Sequence, residues 1–189
     1  MNLFSYVVDH DYGYAPNPYH GVCTLCRCKY RKSPEKAKSI VELAEKGDWV
    51  VGTGGAAGKS AGHGKIVYAM QVEEKLTRKE YYASPRFKPK KPRPKGTYEQ
   101  QQGDNKPPKN SFEKREQFVL ISRRRFYYFG RNAILIDHKQ FPSLEKKGPG
   151  FRKDFEESYI ARFVKWITRK KLGIHGEPWM KHVSELGRS

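Results

Sequence analysis

"DWVVGTGGAAGKSAGHGKIVYAMQVEE", residues 48–74, decides the fold because it admits two incompatible readings. Gly58-Lys59-Ser60 inside a glycine-rich run suggests a P-loop. That motif needs a glycine, four residues, then Gly-Lys-Ser/Thr, and it opens a helix whose N-terminal amides and dipole face the phosphate. Counting back from Gly58 puts Thr53 where the first glycine belongs. Ser60 is followed by Ala61-Gly62-His63-Gly64 and then by a β-branched run that alternates like a strand, not a helix. The stretch therefore reads as two antiparallel strands joined by a glycine-rich connection, with Ile66, Tyr68, Met70 and Val72 on one face. The stretch is not an NTPase motif.

Outward from this pair, Leu3–Asp9 alternates as a strand and runs into a loop punctuated by Gly13, Pro16, Pro18 and Gly21. Ser33-Pro34 marks a helix start, Ala37, Ile40, Val41 and Ala44 keep helical spacing, and Gly47 is the stop. Thr77 with Glu80 forms a capping box for a short helix that carries Tyr81 and Tyr82. Residues 86–112 are rich in proline and lysine and read as an extended basic loop. Strand character returns in "FVLIS", "FYYF" and "AILID" between Phe118 and Asp137. From 151 to 172 the spacing of Phe155, Tyr159, Phe163 and Ile167 predicts a helix, with Gly173 as its C-terminal stop. The class is α+β: a curved, mostly antiparallel sheet, or a small PUA-like β-barrel, with flanking helices. Residues 1–172 form a single domain and 173–189 a C-terminal tail.

The chain has 189 residues and a formal charge of +18, with 13% aromatic residues. Charge this one-sided attracts polyanions by releasing condensed counterions, and rings stack on bases, so DNA or RNA is the expected partner. There is no 18-residue apolar run, which argues against a membrane span, and the N-terminus lacks a signal-peptide layout. Three cysteines close together make no disulfide framework, and the chain reads as cytoplasmic.

"RFKPKKPRPK" splays cations along a proline-stiffened segment, with Arg86, Lys88, Lys90 and Lys91 as phosphate contacts. "RRRFYYFGR" adds Arg123, Arg124 and Arg125 among four aromatics, of which at least two belong to the core. Lys165, Arg169, Lys170 and Lys171 form a basic helix end, a pattern that also suits the helix dipole without a ligand. His20, Cys23, Cys26 and Cys28 have spacing that zinc could in principle use, but the C-x-C step is tight and no second pair follows, so buried thiols are the preferred reading. His10 and Asp11 stand where the first strand opens into its loop and suit either acid–base work or an anchoring hydrogen bond. No motif implies a cofactor.

The runs "YVVDHDYGYAPNPYHGVCTLCRCK", "GDWVVGTG", "IVYAMQVEEKLTRKEYYASPRF", "GDN" and "VLISRRRFYYFG" together resemble the second type of nucleotide modification associated domain, across roughly Leu3 to Trp166. The resemblance implies action beside enzymes that make or process modified bases. It picks out Asp11, Tyr12, Asn17, Cys23, Asp48, Thr53, Tyr68, Asp104 and Asn105 as motif positions. The link before Gly47 is longer than the family pattern, and the Arg123–Phe126 stretch more basic. The leading expectation is a nucleic-acid-binding module that recognises or assists processing of modified bases. Tyr12, Trp49 and Tyr68 would form a stacking wall, while Asn17, Thr53, Asp104 and Asn105 bond a base edge. One alternative is an enzyme on a nucleotide or base in which Asp11, Cys23 and Asp104 converge. Another is a basic structural partner of an acidic protein.

Overall fold

The computed structural model describes residues 1–26, 39–56, 58–91, 93 and 118–181. The strand pair that opens the sequence argument lies at its centre: β3 (Trp49–Gly54) and β4 (Lys65–Gln71) run antiparallel and are joined through residues 55–64. Ser60, which a P-loop would set on a metal, instead accepts the Gly55 N–H and closes the connection at 3.3 Å. Its glycines are needed for close approach. A Cβ on Gly54 would strike the Gly62 carbonyl.

On one side of β3 lies β1 (Leu3–Val8), in parallel register with it, and beyond β1 the edge strand β9 (Phe151–Arg152). On the other side β4 pairs with β7 (Phe126–Tyr128) and, at its start, with β8 (Ile134–Leu135). β10 (Gly173–Ile174) adds parallel to β7 as the far edge. A second sheet contains β2 (Cys23–Leu25), β6 (Phe118–Ser122) and β5 (Glu74–Thr77), in the order β2-β6-β5. Six of the eight strand pairings are antiparallel. The larger sheet is mixed and open, ending at β9 and β10, so the PUA-like barrel does not form among the described residues.

Alternation along these strands builds three apolar layers. Phe4, Tyr6 and Val8 face the second sheet together with Tyr68, Met70 and Tyr128, and Cys23, Leu25 and Leu120 meet them from the other side. Leu3, Trp49, Val51, Ala69 and Tyr127 point the opposite way, onto α3 (Glu157–Ile167), whose Tyr159, Ile160, Phe163 and Ile167 form the matching stripe. A third layer on the outer face of the small sheet packs Val119 and Ile121 against Tyr81 of α2 (Arg78–Ala83) and Phe87 of the following 3-10 turn. All four aromatics of "FYYF" are buried.

The structure departs from the sequence expectations at defined points. Ile66 does not share a face with Tyr68 and Met70, because the register jumps from Gly52↔Tyr68 to Thr53↔Ile66 and leaves Val67 as a bulge. α1 spans Ile40–Leu43 with Ser39 as its N-cap and Glu42 closing the capping box; Ser33-Pro34 lies outside the described residues. The last helix starts at Glu157, because Phe151 is drawn into the sheet and packs on Phe4 with ring centroids 6.0 Å apart. Gly173 is no helix stop: α3 ends at Ile167, and Gly173, at φ 95°, opens β10. Beyond residue 172, then, the chain adds an edge strand. The Thr77–Glu80 capping box is present as read.

Candidate functional site

The first loop is tied down by Asp11. Its carboxylate is buried, with Oδ1 accepting from Tyr128 Oη at 2.6 Å and Oδ2 from the Trp179 N–H at 3.2 Å. The Gly13 N–H points at the same group. Its backbone joins the knot as well, the N–H donating to the Lys59 carbonyl and the carbonyl accepting from the Met180 N–H. One residue thus connects the first loop, β7, the glycine-rich connection and the C-terminal segment. Burial pushes the Asp11 carboxyl above its ordinary range, and the three donors oppose that rise. Burial also drives the Tyr128 phenol well above its usual value, and the adjacent carboxylate adds to it.

A row of side chains runs beneath the knot. Tyr6, Gly52, Tyr68 and Tyr128 are register partners across four adjacent strands and face the same layer. Tyr6 and Tyr68 share a hydrogen bond between hydroxyls at 2.9 Å. Gly52 makes the row possible, since a Cβ there would run into the Tyr68 ring and Val8.

The stacking wall imagined for Tyr12, Trp49 and Tyr68 is not assembled. Trp49 and Tyr68 are fully buried on opposite faces of the sheet, Trp49 stacked near Tyr127 and edge-on to Phe163. Tyr12 alone of the three reaches the surface, half-buried between His10 (6.0 Å, parallel) and Tyr14 (5.8 Å). Thr53 is buried and donates to the Tyr6 carbonyl at 3.2 Å. Asn17 is buried too, and its Oδ1 is taken by Tyr19 N–H and by Lys90. Cys23 lies against Met70 Sδ at 3.8 Å in the central layer, whereas Cys26 faces the outer one, so the two thiols diverge. His20 is exposed, Cys28 lies outside the described residues, and among those residues no metal-ligating cluster occurs. Asp104 and Asn105 also lie outside them. Asp48 is a buried turn anchor that accepts from Asn2 N–H at 2.6 Å and Glu45 N–H at 3.0 Å.

The cations divide in a similar way. Lys90 is turned inward: its ammonium is enclosed and donates to Asn17 O, Asn17 Oδ1, Tyr19 O and Val22 O at 2.8–3.0 Å. An ammonium with four oxygens around it is a brace for the first loop, not a phosphate contact. Arg86 is exposed but forms a bidentate pair with Glu74. Lys88 is exposed and Lys91 half-buried. Arg123, Arg124 and Arg125 project from the β6–β7 turn, whose backbone amides at 123 and 124 are held by the Glu73 carboxylate. Arg124 and Arg125 share a groove of about 600 Å³ with Tyr127, Thr168, Lys170, Lys171 and Leu172. Among the described residues none of these four cations has a carboxylate partner. Two basic runs, 45 residues apart in sequence, therefore meet at one edge of the sheet.

A family model described as nucleotide modification associated domain 2 matches residues 1–111 and 100–185. The chain belongs to that family. No curated protein and no solved structure matches it. In this member of nucleotide modification associated domain 2, several motif residues that the resemblance marked, Asp11, Asn17, Asp48, Thr53 and Tyr68, are buried and hydrogen-bonded within the fold. Sequence reasoning missed the partners of Asp11 at Trp179 and Met180. The available signal was the Gly176–Pro178 punctuation just before them, typical of a segment packed closely against another backbone.

Proposed function

We propose that this nucleotide modification associated domain is a nucleic-acid-binding module that serves base modification by holding the polymer. The reading rests on the groove in which Arg124 and Arg125 face Lys170 and Lys171 with no acid among them. Arginine forks suit phosphate oxygens, and lysines at a helix C-terminus extend the cationic track. An overall charge of +18 supplies the long-range attraction that brings a polyanion to it. Tyr12, on the first loop, offers the surface ring that base stacking needs. Among the described residues no helix is long and apolar enough to cross a membrane.

The test is salt-dependent binding of a labelled duplex by fluorescence anisotropy. For the wild-type chain log K falls linearly with log salt, by about 0.9 per phosphate contacted. An Arg124→Gln/Arg125→Gln double variant loses about one unit of slope or more by the same rule. Wild-type affinity indifferent to salt, or a variant slope equal to the wild-type slope, overturns the reading.

A further inference from the structure

A second cavity, of about 820 Å³, lies at the opposite edge of the large sheet, beside β9. It is the size of a small-molecule site, for which about 300–1,000 Å³ is usual. Lys146, Lys147 and Arg152 line it together with His138, Glu145 and Asp154. Two of the three cations, Arg152 and Lys146, are held in place before any ligand arrives. Arg152 lies over the Phe155 ring at 5.6 Å, and its Nη1 donates to the Ser143 carbonyl at 3.4 Å. Ser143 has φ 64°, a conformation side-chain-bearing residues seldom adopt and one that recurs at ligand-binding loops. Lys146 spends one proton on the Lys147 carbonyl, at 2.6 Å, and keeps two. Glu145 is already engaged: its Oε1 accepts from Gly64 N–H at 2.8 Å and contacts His63 Nδ1 at 3.1 Å. That carboxylate fixes the end of the glycine-rich connection to the cavity wall through its Oε1.

We propose that this cavity binds a phosphomonoester the size of a nucleotide. The doubly charged phosphate meets Lys146, Lys147 and Arg152. Three cations lining one cup suit a terminal phosphate better than a singly charged diester. The volume exceeds what inorganic phosphate fills, and Asp154 and Glu145 Oε2 are acceptors for hydroxyl or amino groups of the organic portion. The site is separate from the groove of Arg124 and Arg125, so it stands or falls independently of the polymer-binding reading.

The experiment is calorimetric titration of the full chain with each of the four deoxynucleoside 5′-monophosphates, compared with the nucleosides, with inorganic phosphate and with a 5′-phosphorylated oligonucleotide. At least one monophosphate binds, while its nucleoside and inorganic phosphate bind about tenfold more weakly or worse. Lys147 is exposed, and no hydrogen bond of its ammonium is found among the described residues, so Lys147→Glu perturbs charge rather than fold. It weakens the monophosphate about tenfold or more, as does Arg152→Gln, whose folding circular dichroism checks. Arg124→Gln/Arg125→Gln leaves that affinity unchanged. The proposal is overturned if no monophosphate binds at millimolar concentration, if inorganic phosphate binds equally well, or if only the oligonucleotide end binds. It is overturned as well if Lys147→Glu binds like the wild type or the groove variant abolishes binding.

Discussion

Tyr128, in β7, donates its hydroxyl to Oδ1 of Asp11 at 2.6 Å across 117 positions of sequence, in a space closed to solvent. A carboxyl buried this way prefers its proton more in the folded chain than in the unfolded one, since burial outweighs the donors around it. The folded state therefore binds more protons than the unfolded state between the ordinary Asp range and the raised folded value. Stability from this group is complete below the unfolded pKa, near 4, and is lost as pH rises through the folded pKa. Asp11→Asn removes that dependence. In urea unfolding from pH 4 to pH 8, the wild-type advantage over Asp11→Asn shrinks as pH rises; a difference that stays constant or grows contradicts the assignment.

Gly52 is the gap through which Tyr68 passes on its way to Tyr6. Gly52→Ala puts a methyl into the ring and Val8 at once, and overpacking of this kind costs about 1–3 kcal/mol. The denaturation midpoint drops with an unchanged m-value. A midpoint that stays at the wild-type value refutes the steric argument.

The sequence disclosed most of the fold and less of the site, for a physical reason. Strand alternation, the Thr77–Glu80 box and the failed P-loop spacing are local signals, and each has its counterpart in the fold. The short edge strands β9 and β10, of two residues each, carry no periodicity and read from sequence as parts of a helix and a tail. The site was harder because residue type does not reveal direction. Trp49 and Tyr68 are both aromatic and both on strands of the same sheet, yet the pleat and the Val67 bulge send them to opposite faces. Lys90 belongs by sequence to a solvated cationic run, and only the fold shows its ammonium turned into the first loop.

Removing that ammonium separates bracing from phosphate binding. Lys90→Met keeps the stem but takes the ammonium from four oxygens; the Asn17 carbonyl and Oδ1 keep the Thr24 and Tyr19 N–H donors, and each buried group left unmet costs about 1–3 kcal/mol. Thermal unfolding reads the loss as a lower midpoint. Duplex affinity of the folded fraction stays at the wild-type level with the same salt slope. A slope that falls by about 0.9 would place Lys90 on the polymer instead.

Arg78 provides the opposite experiment. It begins α2, is 4% exposed, and Nε, Nη1 and Nη2 all lie buried with no acceptor among the described residues. Neighbouring acids are committed elsewhere: Glu74 to Arg86, Glu80 to Thr77, Glu73 to the Arg123 and Arg124 amides. An unpaired buried cation is a burden that an apolar residue of similar length removes. Arg78→Met is therefore expected to stabilise the chain, by about 1–3 kcal/mol, through removal of unmet donors. Urea unfolding in a phosphate-free buffer without multivalent anions makes the comparison clean. A less stable Arg78→Met would mean that the guanidinium has a partner in solution.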